Sequence, residues 1–226
     1  MEVELKYLCT EETADKILGE AASSCEKLSF KAMKALYLDT ADDAVRDAKL
    51  TYRVRQEGEK FFATVKYGGS KGSGGALHKR NEINIEVDEE FYEQPRIDIF
   101  EEHDIYKLLD KAVGGQYSDN MGVMRPIKKL QPKIIMDFMR TECDIHIGEG
   151  GNTVAILSYD KGEIKAGGKT EPISEIEVEL VSGDEKTLVE FGDELQKKYP
   201  LKSGFKSKYS RGLKLIMPKK LQKDKK

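Results

Sequence analysis

The sequence predicts an α+β fold, an antiparallel sheet of roughly eight strands with amphipathic helices against its apolar side. Three observations carry this. Segment after segment alternates apolar with charged side chains at period two, as strands do when their two faces meet different surroundings. Most of these segments are joined by short turns of the hairpin kind. Three longer stretches, near 10–22, 99–113 and 184–199, carry apolar residues at helical spacing instead.

The first strand is Met-Glu-Val-Glu-Leu-Lys. It places Glu2, Glu4 and Lys6 on one face and Val3 and Leu5 on the other. Two carboxylates one strand period apart, roughly 6–7 Å, can share a hard cation with a bound anion. A solvated strand face accounts for the hexapeptide equally well. Thr10 followed by Glu11 and Glu12 starts a helix that runs to about Ala22. Met33 to Leu38 is short and apolar, and Thr40 caps a short helix with Asp42 and Asp43 in its first turn.

Leu50 to Gln56 alternates Leu50, Tyr52 and Val54 with Thr51, Arg53 and Arg55. It turns at Glu57-Gly58-Glu59 and returns as Phe61 to Tyr67, so that Arg53, Arg55 and Lys66 share a face. Gly68 to Gly75 is a glycine- and serine-rich hairpin connection without the order of a phosphate-binding loop, in a position to cover a site. Lys79 to Asp88 is a further strand, with Arg80, Glu82, Asn84 and Glu86 on one side. A helix is predicted from about Arg96 to Gly115, followed by a connection over 116–126.

Lys133 to Ile147 resumes strand, with Ile134, Met136, Phe138, Arg140 and Glu142 on one face. Thr153 to Lys161 follows and ends at Asp160-Lys161-Gly162. Beyond a turn at Gly167-Gly168, Ile173 to Val181 alternates Glu175, Glu177 and Glu179 with Ile176, Val178 and Leu180. Three carboxylates on one face repel unless cations lie between them. A helix from about Asp184 to Tyr199 stops at Pro200, and Leu213 to Met217 reads as a last apolar strand.

Composition narrows the function classes. The chain has 226 residues, enough for one sizeable domain, with 38% hydrophobic and 35% charged residues but a net charge of only −3. No global basic field points to nucleic acid. Cys9, Cys25 and Cys143 are odd in number and scattered, which argues against a disulfide framework or zinc site and suits a reducing, cytoplasmic setting. No basic segment followed by an apolar run precedes the first strand, and no apolar stretch reaches membrane-spanning length. The basic tail from Pro218 to Lys226 is expected to be solvated. His78, His103 and His146 lack the Ser or Cys partner pattern of a nucleophilic site and are expected to be structural or exposed.

Two arrangements satisfy the pattern. Either the apolar faces pack inward and the charges meet water, or the sheet closes into a barrel with its charges inside and the helices cover the apolar outside. A charged lumen costs several kcal/mol per unpaired ion, so it must match opposite charges, hold water and bind a highly charged ligand. A polyphosphate with a divalent metal is such a ligand.

The Glu2-x-Glu4-x-Lys6 start resembles the ExExK signature of the CYTH domain, or triphosphate tunnel metalloenzyme, family. The likeness continues through Tyr37-Leu38-Asp39-Thr40, Arg53-x-Arg55, Thr64-x-Lys66, Arg80-x-Glu82, Arg140, Asp160, Glu175-x-Glu177-x-Glu179 and Ser207-Lys208-x-x-Arg211. It implies a closed eight-stranded antiparallel β-barrel, a tunnel with a charged interior and helices packed outside. It also implies a single domain over 1–217 with a helical insertion around 93–130, ahead of the tail at 218–226. Thr51 departs from the family, which often has a leucine before the arginine pair.

By this resemblance Glu2, Glu4, Glu175 and Glu177 would hold Mg²⁺ or Mn²⁺, with Glu179, Glu82 and Asp160 as further candidates. Lys6, Arg53, Arg55, Lys66, Arg80, Arg140, Lys208 and Arg211 would grip phosphates, and Glu2, Glu4, Lys6, Arg53, Arg55 and Glu177 form the catalytic set. The implied activity is metal-dependent hydrolysis of inorganic triphosphate to diphosphate and phosphate. An adenylate cyclase or thiamine triphosphatase on the same fold, and a non-catalytic polyphosphate-binding module, are the alternatives. The absence of tryptophan tilts the reading toward a substrate without a base. The implied partner is a small-molecule triphosphate, with neither nucleic acid nor membrane, and a homodimer is compatible with the sequence.

Overall fold

The computed structural model describes residues 2–23, 28–71 (backbone alone over 69–71), 76–114, 128–204 and 206–217. In chain order the elements are β1 (Glu2–Leu8), α1 (Glu11–Ala21), β2 (Ser29–Asp39), α2 (Ala44–Asp47), β3 (Leu50–Glu57), β4 (Lys60–Lys71) and β5 (Leu77–Val87). They continue with α3 (Glu89–Glu93), a 3₁₀ turn (Asp98–Phe100), α4 (Ile105–Val113), β6 (Gln131–Ile147) and a second 3₁₀ turn (Glu149–Gly151). The last are β7 (Thr153–Ala166), β8 (Lys169–Ser182), α5 (Glu185–Lys198), the two-residue β9 (Lys202–Ser203) and α6 (Lys208–Ile216).

The strands form one antiparallel sheet in the order β5-β4-β3-β2-β6-β7-β8-β1. It closes because β1 pairs on both edges: Glu4 faces Glu179 of β8, and Glu2 faces Arg80 of β5. Closure removes both sheet edges and turns the alternation of each strand into an inside and an outside. β9 adds to β1 beyond the barrel through Tyr7↔Ser203 and Leu8↔Lys202.

The outside is apolar where helices cover it. Leu5, Tyr7, Leu157, Ile176 and Val178 pack against Ala14 and Ile17 of α1 and Leu188 and Leu195 of α5. Around the barrel, Tyr52, Val54, Ala63 and Val65 pack with Val45 of α2, Phe91 of α3, Phe100, and Leu109 of α4. Part of the inner face is also apolar. Ala35, Tyr37, Ile134, Met136, Phe138 and Ile164 form a third cluster, closed over by Tyr209, Leu213 and Ile216 of α6.

The structure corrects the sequence reading at several elements. α2 begins at Ala44, so Asp42 and Asp43 precede it instead of filling its first turn. Leu213 to Met217 lies at the end of a helix rather than in a strand. Five residues of Leu-Lys-Leu-Ile-Met fit either period, and the Ser207 cap, whose hydroxyl accepts from the Ser210 amide, sets the helix. Lys208 and Arg211 therefore project from α6, not from a strand. The helix expected over 96–115 is broken into the 3₁₀ turn and α4, ended by Gly114 in the left-handed region, and Leu108 of α4 is exposed. β7 also continues past Asp160-Lys161-Gly162, where the sequence reading ended it. The predicted connection over 116–126 and the tail from 218 lie outside the described residues, as do 72–75 of the glycine-rich hairpin connection, whose first part belongs to β4.

Gly162 is in mid-strand because the β6 backbone passes over it: a Cβ there would lie 2.2 Å from the Asp137 carbonyl oxygen. Gly162→Ala is expected to cost about 1–3 kcal/mol by forcing β6 and β7 apart, read as a lower urea midpoint at unchanged slope. Among the described residues no helix is long and apolar enough to cross a membrane.

Candidate active site

The barrel encloses a cavity of about 290 Å³ whose wall draws charged side chains from most of its strands. β1 supplies Glu2, Glu4 and Lys6, and β3 supplies Arg53 and Arg55. Lys66 comes from β4, and Arg80 and Glu82 from β5. Arg140 reaches in from β6, Glu177 and Glu179 from β8, and Lys208 from the first turn of α6. The register explains the convergence, since inward residues of neighbouring strands face one another, as Thr51↔Lys66, Lys66↔Glu82 and Lys6↔Glu177 do.

Three predicted residues stand behind this wall. Asp160 and Glu175 are fully buried, and Arg211 pairs with Glu171 and Glu175. Asp160 and Glu175 serve the cations of the floor. Arg140 donates two hydrogen bonds of 2.7 Å to Asp160 and a third of 2.7 Å to Glu177. Lys208 Nζ lies 2.7 Å from Asp160 and 2.8 Å from Glu177, and also contacts Glu175. Lys6 Nζ bonds Glu177 at 2.6 Å and approaches Glu4 at 3.0 Å.

Burial alone would push the Glu177 carboxyl up, but Lys208, Lys6 and Arg140 override it and hold the group well below the usual carboxylate range. Asp160 is lowered in the same way by Arg140 and Lys208 against its burial. Oxygens of Asp160, Glu175 and Glu177 lie within 4.8 Å of one another, close enough to hold a metal ion. The Lys208 ammonium already occupies the centre of that group, so a metal there would have to displace it.

The opposite balance holds higher in the cavity. Glu4 faces Glu179 across the β1–β8 pair. Burial, reinforced by Glu2, Glu4 and Glu177, raises Glu179 to about 7. Burial also raises Glu4, with Glu177 and Glu2 adding and Lys6 only partly opposing. Glu2 is lowered because Lys66, bonded at 2.7 and 2.9 Å, outweighs its burial. Glu4 and Glu179 are thus short of positive charge, and with Glu2, whose cation is Lys66, they offer the hard oxygen donors that fit Mg²⁺ or Mn²⁺.

A cation-rich wall adjoins these acids. Arg53 bonds Thr64 Oγ1 at 3.3 Å, and Arg53 and Arg55 each bury an Nε–H that has no acceptor among the described residues. Burial and the charges of Arg53 and Arg140 lower Arg55 to about 10, a measure of how crowded with cations this wall is. Unmatched buried donors beside crowded guanidinium groups are suited to a multiply charged anion.

Several lining residues carry no role in the sequence reading: Lys31, Tyr37, Glu57, Asn84, Glu142 and Tyr209. Extending the alternation one step from Arg55 reaches Glu57, and from Arg140 it reaches Glu142, so the signal was present. Tyr209 had none, because its segment carried no helical assignment.

The family profile described as the CYTH domain matches residues 1–213. The chain belongs to the CYTH family. An inorganic triphosphatase of Haemophilus influenzae is 31% identical over 176 residues, covering 78% of this chain and 44% of that protein. The chain thus spans less than half the length of that relative. A protein from Hippeastrum, put forward as an adenylyl cyclase and reported to have a dominant triphosphatase activity, superposes with a TM-score of 0.64 at 17% identity. That match covers 97% of this chain and 98% of the other, and shows that the two share the CYTH fold.

Proposed function

We propose that this chain hydrolyses inorganic triphosphate to diphosphate and phosphate in its barrel cavity, with Mg²⁺ or Mn²⁺ held by Glu2, Glu4 and Glu179. The observation that carries the reading is the junction, in one enclosed space, of the unmatched buried Nε–H groups of Arg53 and Arg55 with the cation-short pair Glu4 and Glu179. A pure anion-binding module gains nothing from lining its site with uncompensated glutamates. The activity of the Haemophilus influenzae relative points the same way.

The chain's own residues have separable tasks. Arg53, Arg55, Lys66, Arg80 and Arg140 align the phosphates and stabilise charge on the transferred and leaving groups. Asp160 and Glu175 are positioning residues that hold Lys208 and Arg140 from behind the wall. A bound divalent ion would supply charge neutralisation on phosphate oxygens and a lowered pKa for an attacking water. No covalent nucleophile is needed.

The ring faces nearest the cavity are in use. Tyr37 stacks on Tyr209 at 5.1 Å, and Phe138 lies beneath Arg140 and Lys208. That leaves little aromatic surface for a base and supports a bare polyphosphate over a nucleotide or thiamine ester. The test is a panel of tripolyphosphate, ATP and thiamine triphosphate with Mg²⁺ and Mn²⁺, scored for phosphate release and for cyclic AMP. Phosphate from tripolyphosphate in preference to the other two is the expected result. Cyclic AMP from ATP would replace this reading with a cyclase.

A further inference from the structure

The cavity's mouth on the β3-β2-β6 side carries two carboxylates outside the metal-binding and phosphate-binding sets. Glu57 is the last residue of β3 and forms an ion pair with Arg55. Glu142 of β6 pairs with Lys31 of β2 and accepts a hydrogen bond from Ser29 Oγ at 3.3 Å. The two pairs share one end of the barrel. Glu57 faces Met33 across β2–β3, and Lys31 is the next inward residue of β2 toward the rim.

Moving outward along β3, the inner face reads Thr51, Arg53, Arg55 and then Glu57, and along β6 it reads Phe138, Arg140, Glu142 and then the exposed Asp144. In both strands an arginine that faces the cavity is followed, one inward step toward the rim, by a carboxylate. Glu57 and Glu142 are mostly shielded from solvent, their side chains 19% and 15% exposed, so bulk water screens their charge only partly.

We propose that Glu57 and Glu142 are a carboxylate stop that sets substrate chain length, admitting three phosphates and rejecting a fourth. A longer polyphosphate would have to bring further anionic groups past two carboxylates held in place by Arg55 and Lys31. Specificity would then come from repulsion placed just beyond the attractive site. This inference rests on the proposed triphosphatase reading.

The experiment compares tripolyphosphate with tetrapolyphosphate in the parent, Glu57→Gln, Glu142→Gln and the double variant, by kcat/KM for phosphate release and by calorimetric binding. The double variant is expected to raise the tetrapolyphosphate-to-tripolyphosphate ratio at least roughly tenfold. Lys31→Glu, which adds a carboxylate at the same mouth, is expected to lower that ratio. A ratio unchanged within about twofold in folded Gln variants overturns the stop. A parent that binds both chains without releasing phosphate overturns the triphosphatase reading instead, and the binding ratio then still decides the chain-length claim.

Discussion

Lys208→Met is expected to unfold about 3–5 kcal/mol more easily than the parent, a drop in melting temperature on the order of 10 °C. Methionine retains most of the lysine's volume, so the loss is chiefly one of charge. Lys208 Nζ contacts Asp160, Glu175 and Glu177, three carboxyls that are nearly or fully buried. Without it, Arg140 still serves Asp160 and Glu177, and Arg211 still serves Glu175, but the cluster keeps three anions around an empty centre. Adding Glu175→Gln to Lys208→Met should recover part of the loss, because one uncompensated charge disappears. Urea unfolding of the two variants beside the parent measures both effects. A single variant as stable as the parent would mean that the Lys208 ammonium does not offset this buried acidic cluster. Phosphate release by Lys208→Met should also fall roughly 10²–10³-fold, since the floor cation and the position of Arg140 are lost together.

The sequence makes this cluster only half legible. Glu175, Glu177 and Arg140 stand out because β8 and β6 alternate strictly, and period two is the strongest signal a strand can give. What the alternation cannot say is which face turns inward, and that decision is made by closure. β1 meets β5 through Glu2↔Arg80 and Leu5↔Leu77, pairings across more than seventy residues that no local pattern specifies. Lys208 is visible as a residue but not as a helical one, since Leu-Lys-Leu-Ile-Met suits two periods. Lys31 is hidden for another reason. β2 leaves Phe30 exposed on its outer face and places Met33 and Ala35 on its inner one, so its apolar residues do not mark a side. The apolar part of the lumen is likewise an effect of α6, which supplies Leu213 and Ile216 as partners for inward residues that would otherwise meet water.

Glu179→Gln is expected to stabilise the metal-free protein at pH 8 and to leave it unchanged below pH 4.5. Burial and the neighbouring Glu2, Glu4 and Glu177 raise this carboxyl from an ordinary 4.5 to about 7. Below 4.5 the group is protonated in both the folded and unfolded chain and contributes nothing. Between 4.5 and 7 the unfolded chain has lost the proton that the folded chain retains, so the unfolded state binds fewer protons and stability falls as pH rises. Above 7 both states are ionised and the whole cost of holding this charge persists. Glutamine removes the charge at nearly constant shape, so the gain at pH 8 should be roughly 1–3 kcal/mol. A divalent ion held among Glu2, Glu4 and Glu179 would offset the same cost in the parent. Saturating Mg²⁺ should therefore raise the parent's melting temperature more than the variant's, reversing or erasing the difference between them. Melting curves at pH 4.5 and pH 8, with Mg²⁺ and with chelator, contain all four comparisons. An equal Mg²⁺ shift in both proteins would remove Glu179 from the metal set, and no gain at pH 8 would mean that its charge is compensated by a cation.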